Sequence, residues 1–186
     1  FVPTAPNTAA AQQPLRSLRP AIEERIARHQ GVVGLAIIDL ATGDTLSVRG
    51  DEPFPTASVI KVPVLVEVFH QVENGRLRLE DPIVMLEVDK RPGSGVLQFL
   101  SAPLQITVRD AAFLMIALSD NTATNLLVDK VGIRAVTARM DSLGLPRTAL
   151  HSKVFDRSSS VAPDSSARWG LGVTTPNEMA RLFAMI

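Results

Sequence analysis

From Leu15 to His29, apolar residues recur at helical spacing, at Leu15, Leu18, Ile22 and Ile26, with charges on the opposite face. This pattern predicts an amphipathic helix that Gly31 ends. Residues 32–40 form an apolar run of strand length. The turn Ala41-Thr42-Gly43-Asp44 lets Thr45–Val48 pair back on it, so the chain opens as a helix followed by a β-hairpin. Residues 59–72 are apolar on nearly every face, which predicts a helix buried in the core. That helix starts around Thr56-Ala57-Ser58, carries Pro63 near its first turn and stops at Asn74-Gly75. A further apolar helix is predicted over Ala111–Leu118. Residues 122–131 and 133–143 each predict one more, with Gly132 between them and Gly144 as a stop. Residues 150–173 are rich in Ser, Asp and Arg with weak periodicity and read as a long loop. Thr175-Pro176 opens a final helix.

The hairpin is the one strand pair the pattern predicts, and two strands alone make a marginal sheet. The expectation is therefore a piece of a larger domain, completed by a second polypeptide or a C-terminal segment. Residues 1–13 are polar and aperiodic and read as a loose leader, with residues 14–186 as one domain. Ala9-Ala10-Ala11 is either the tail of a signal-peptide cleavage region or part of a polar N-terminus.

Composition narrows the chemistry. Nineteen basic and nineteen acidic residues cancel, so no net charge draws the molecule to nucleic acid or an anionic membrane. No apolar run reaches the length of a membrane span. With no Cys, thiol catalysis, disulfides and cysteine metal sites are excluded. The histidines are isolated, and no signal for a metal or a nucleotide is found, so no cofactor is expected.

The chemistry concentrates in two short motifs. In Ser58-Val59-Ile60-Lys61, residues three apart share a helix face, so the hydroxyl and the amine meet. A free hydroxyl is a poor nucleophile until a base activates it, and a partly desolvated lysine has its pKa lowered toward a useful range. Taken alone, an N-capping serine beside a surface lysine explains the same tetrapeptide. Ser119-Asp120-Asn121 follows one apolar helix and precedes another. There Ser119 is placed to relay a proton, Asn121 to hydrogen-bond a substrate amide, and Asp120 to brace the loop or cap the next helix.

The two motifs in this order resemble those of class A β-lactamases and penicillin-binding serine hydrolases. The local words Pro55-Thr56-Ala57-Ser58-Val59-Ile60-Lys61-Val62-Pro63 and Ser119-Asp120-Asn121-Thr122-Ala123-Thr124-Asn125 carry the likeness. Thr174-Thr175-Pro176 resembles the start of a later family helix. The resemblance implies an α/β (α+β) fold, an antiparallel sheet flanked by helices plus an all-helical lobe over about residues 57–145. Of that fold this chain is expected to hold the N-terminal hairpin and the helical lobe. It also implies roles: Ser58 attacks a β-lactam or acyl carbonyl, Lys61 accepts its proton, Ser119 protonates the departing nitrogen, and Asn121 contacts the substrate amide. The Ser58 N–H becomes one oxyanion donor. The implied partner is a β-lactam or peptidoglycan-like substrate, and the implied location is periplasmic or secreted.

Two departures stand against the likeness. No Lys-Thr-Gly motif is present. No Glu lies between Glu87 and Glu178, although class A enzymes use a loop Glu in an E-x-x-L-N stretch to activate the deacylating water. The matching loop reads Leu150-His151-Ser152-Lys153-Val154-Phe155-Asp156-Arg157, where Asp156 is the nearest carboxylate. Asp156 is either a substitute base or the partner of Lys153 or Arg157. Without a base, the chain is expected to acylate and stall. Three functions follow: a β-lactam hydrolase, a D,D-peptidase or esterase on the same site, or a sensor module that is occupied without turnover.

Overall fold

The computed structural model describes residues 15–186, and the leader expected over residues 1–13 lies outside the described residues. A 3-10 turn at Leu15–Leu18 runs into α1 (Arg19–Ala27). Leu15, Ile22 and Ile26 are half-buried and the rest of the helix is exposed, so the predicted amphipathic face rests on the surface of the domain.

Strand β1 (Leu35–Ile38) pairs antiparallel with β2 (Thr45–Val48), Leu35 facing Val48 and Ile38 facing Thr45. The strand is shorter than the apolar run because Asp39 turns the chain. Its carboxylate accepts from the N–H groups of Ala41 and Thr42 at 2.8 and 3.2 Å.

Strand β3 (Phe54–Pro55) leads into a 3-10 turn at Ala57–Ile60 and then α2 (Lys61–Glu73). Pro63 falls in the first turn of α2, where the missing N–H costs nothing. Strand β4 (Pro82–Met85) pairs with β5 (Leu104–Thr107). Helix α3 (Val108–Ala117) starts on a capping box in which Thr107 and Asp110 exchange side-chain and backbone hydrogen bonds. Helices α4 (Asn121–Val131) and α5 (Ile133–Ser142) follow, hinged at Gly132. The buried faces of α2 (Val64, Val68), α3 (Val108, Ala111, Met115) and α4 (Ala123, Leu127) form the main core with Ile60. Val59 and Phe69 stay 42% and 44% exposed, so the 59–72 segment is not buried on every face as its composition predicts.

The hairpin is joined by five further short strands. In β4 the alternation is present, Ile83 and Met85 inward and Pro82 and Val84 outward, but four residues led by a proline give a weak signal. Its partner β5 pairs with it over four residues, and the remaining three strands are two or three residues long each. Strand β7 (Gly172–Thr174) lies between β3 and β6 (Ala149–Leu150), with Phe54 opposite Thr174 and Leu150 opposite Gly172. The 150–173 segment is therefore a loop closed at its base by a strand pair, and it contains helix α6 (Pro163–Trp169). Thr175 caps α7 (Pro176–Met185), which packs against β1. Met179 and Leu182 of α7 meet Met140 and Leu145 in a second, smaller core. Among the described residues no helix is long and apolar enough to cross a membrane.

Candidate active site

The β3–β7 pairing sets the segment before Ser58. Thr56 N–H donates to Gly172 O at 3.1 Å, which ties the start of the 3-10 turn to the end of the long loop. Ala57 is held at φ +43°, in the left-handed region that a side chain disfavours. Ser58 follows, exposed, in a first helical turn where Val59 N–H bonds Thr56 O at 3.0 Å and, among the described residues, Ser58 N–H has no backbone acceptor.

Lys61 lies one turn on and is only 2% exposed. Its Nζ donates to Ser119 O at 2.6 Å, Ser119 Oγ at 2.8 Å and Asn121 Oδ1 at 2.9 Å. Ser119 Oγ donates in turn to Ser58 Oγ at 3.0 Å. Among the described residues the Lys61 amine makes no hydrogen bond to the Ser58 hydroxyl, so the two side chains are linked through the Ser119 hydroxyl. Burial pushes the Lys61 ammonium below the ordinary lysine value of 10.5, and the Asp120 carboxylate partly opposes that shift.

Ser119 reaches this position from a left-handed backbone, φ +53°, at the break between α3 and α4. The strain costs on the order of 1 kcal/mol and persists because the neighbours fix it. Asp120 is the main fastener. Its carboxylate, 1% exposed, caps α4 by accepting from Ala123 N–H at 2.9 Å and holds Val96 and Leu97 N–H at 2.7 and 2.9 Å. Gly95 is required there, because a Cβ on it would lie 2.2 Å from the Asp120 carboxyl carbon. Both roles foreseen for Asp120 are thus filled together.

Asn121 is buried and lines the same cleft as Ser58. Its Oδ1 accepts from Lys61, and its Nδ2 donates to Pro92 O at 2.8 Å. One N–H and one lone pair are left for a substrate, so the residue positions Lys61 as well as facing the cleft.

The cleft holds about 450 Å³ between the 93–94 segment on one side and residues 152–157 on the other. Asp156 lines it, but its carboxylate is engaged. Ser158 Oγ donates to it at 2.5 Å and Lys153 Nζ lies 4.0 Å away. The Ser158 hydroxyl above all, then the Ser159 backbone and the charges of Lys153 and Arg91, hold its pKa below the usual carboxylate value. Lys153 pairs more closely with Asp129, at 3.0 Å. His151 turns its ring toward Gly170 O at 3.2 Å and does not line the cleft. Among the described residues no cluster of His, Asp and Glu is fit to hold a metal ion.

Sequence reasoning gave Asn125 and Val154 no role. Asn125, 4% exposed in α4, clamps Val154 from both sides. Its Oδ1 accepts from Val154 N–H at 2.8 Å and its Nδ2 donates to Val154 O at 3.0 Å. The loop residue pinned at the cleft is thereby an apolar one. Asn125 lies within the motif words, but its partner is a backbone far along the chain, and no local signal marks it.

A family profile described as "Beta-lactamase enzyme family" matches residues 17–186. A β-lactamase of Rhodobacter capsulatus is 32% identical over 146 residues, covering 77% of this chain and 49% of that protein. The β-lactamase from Sphaerobacter thermophilus shares 36% identity at a TM-score of 0.75, over 89% of this chain and 59% of that one. A mutant of PBP-A, solved as its acyl-enzyme complex with penicillin G, shares 31% identity at a TM-score of 0.75, over 89% of this chain and 60% of that one. The chain spans about half the length of the curated relative and about three fifths of the two solved chains.

Proposed function

This chain belongs to the β-lactamase enzyme family, and from that premise we propose that Ser58 is a nucleophile acylated by β-lactams in a serine hydrolase. The observation that carries the reading is the unbroken chain Lys61 Nζ–Ser119 Oγ–Ser58 Oγ, with links of 2.8 and 3.0 Å, at the edge of an open cleft. Ser58 Oγ attacks the lactam carbonyl carbon and its proton passes through Ser119 Oγ to the neutral Lys61 amine. The C–N bond then breaks. Ser119 protonates the departing nitrogen and recovers a proton from Lys61, leaving an ester on Ser58. The Ser58 N–H supports the oxyanion from the start of its helical turn. A periplasmic or secreted location goes with a β-lactam substrate.

Hydrolysis of that ester needs a base for the attacking water. Val154 occupies the pinned loop position, and Asp156 is already bound and held to a low pKa, which makes it a weak base. These observations favour a second reading, a penicillin-binding protein or D,D-peptidase whose β-lactam ester persists. The test is intact-mass spectrometry of the full-length protein mixed with penicillin G. An adduct that forms and vanishes marks a β-lactamase, one that persists marks the second reading, and no adduct removes both.

A further inference from the structure

Among the described residues Phe155 is the one aromatic lining the cleft, and it stands 70% exposed there. Its backbone is left-handed, φ +53°, a conformation in which a bulky side chain is rare. The loop fixes it from both sides. Asn125 grips Val154 before it, and Asp156 N–H after it bonds Lys153 O at 3.3 Å. Across the cleft stands Gly93, also in the left-handed region at φ +91°. A Cβ placed on Gly93 would lie 3.6 Å from Phe155 Cε2 and 3.0 Å from Asn121 Nδ2. The ring edge thus reaches over to a position without a side chain, and beneath it is the amide of Asn121. The edge of the ring closes over the Gly93 backbone, while the rest of it, 70% exposed, offers an aromatic surface beside the Asn121 amide to a ring joined to a substrate amide.

The geometry points to Phe155 as a specificity-determining residue that selects acyl donors with an aromatic group on the acyl side chain. The substrate amide lies at Asn121 and the ring beyond it packs on Phe155. Burying an exposed ring against another ring yields hydrophobic contact as well as the preferred offset or edge-on geometry. This inference rests on the acylation reading above.

The test measures second-order acylation rate constants of the full-length protein for penicillin G, which carries a phenylacetyl amide, and for 6-aminopenicillanic acid, which has no acyl side chain. The quantity read is the ratio of the two. In Phe155→Ala the ratio is expected to fall about fivefold, and Phe155→Tyr is expected to keep it. Phe155→Leu, which retains bulk and apolarity, serves if the alanine variant folds poorly, and it too lowers the ratio. A ratio unchanged in these variants overturns the inference, even where both rates fall together, because a structural role moves both alike. Wild-type protein acylated by neither compound overturns the acylation reading and this inference with it.

Discussion

Lys61 Nζ lies 2.8 Å from Ser119 Oγ, and among the described residues no carboxylate forms a salt bridge with it. A buried ammonium whose three acceptors are all uncharged oxygens is poorly compensated. The neutral amine therefore becomes available below the ordinary lysine pKa of 10.5. Because the neutral form takes the proton, acylation rises with pH through a Lys61 value that burial holds below 10.5. Stopped-flow acylation by penicillin G across pH checks this. Lys61→Ala is expected to lose the alkaline limb and at least about a hundredfold in rate. A limb that persists in that variant assigns the base elsewhere.

Ser119 depends on Asp120, whose carboxylate accepts from three backbone N–H groups on two segments. Asp120→Ala strands those donors in a buried place and removes the α4 cap. A loss of about 3 kcal/mol in unfolding free energy is expected, measured by urea titration. A loss under about 0.5 kcal/mol would mean that the 93–97 segment holds itself.

Val154→Glu places a carboxylate at the loop position that Asn125 pins to the cleft. The variant is expected to shorten the life of the penicillin ester by at least about tenfold, with the acylation rate little changed. Asp156→Asn is expected to leave the ester's lifetime within about twofold, since that carboxylate is bound to Ser158. A large slowing in Asp156→Asn would instead make Asp156 the deacylating base.

The motif residues were legible because their chemistry is local in sequence: a serine and a lysine one helical turn apart, and a polar triplet between two apolar helices. Their link was less so. The lysine was expected to take the Ser58 proton directly, but the hydrogen bonds run through Ser119, which only the packing of α2 against the α3–α4 break decides. The long helices were read to within a few residues because each buries a wide apolar face. The strands β3, β6 and β7 were not, since two or three residues carry no period and form only where distant segments meet. The Asn125–Val154 clamp was invisible for the same reason, one partner being a backbone 29 residues away.

Ser58 is exposed, and among the described residues its side chain is bonded only to Ser119. Ser58→Ala is therefore expected to keep its unfolding free energy within about 0.5 kcal/mol of wild type. Equilibrium unfolding followed by circular dichroism checks this, and a larger loss would give Ser58 a structural role.

The central claim is that Ser58 carries the acyl group. The most direct measurement is peptide mapping by mass spectrometry after the full-length protein is incubated with penicillin G. The account predicts one penicilloyl group, found on the peptide bearing Ser58 and absent from Ser58→Ala. A label on any other residue, or one that survives in that variant, would contradict it.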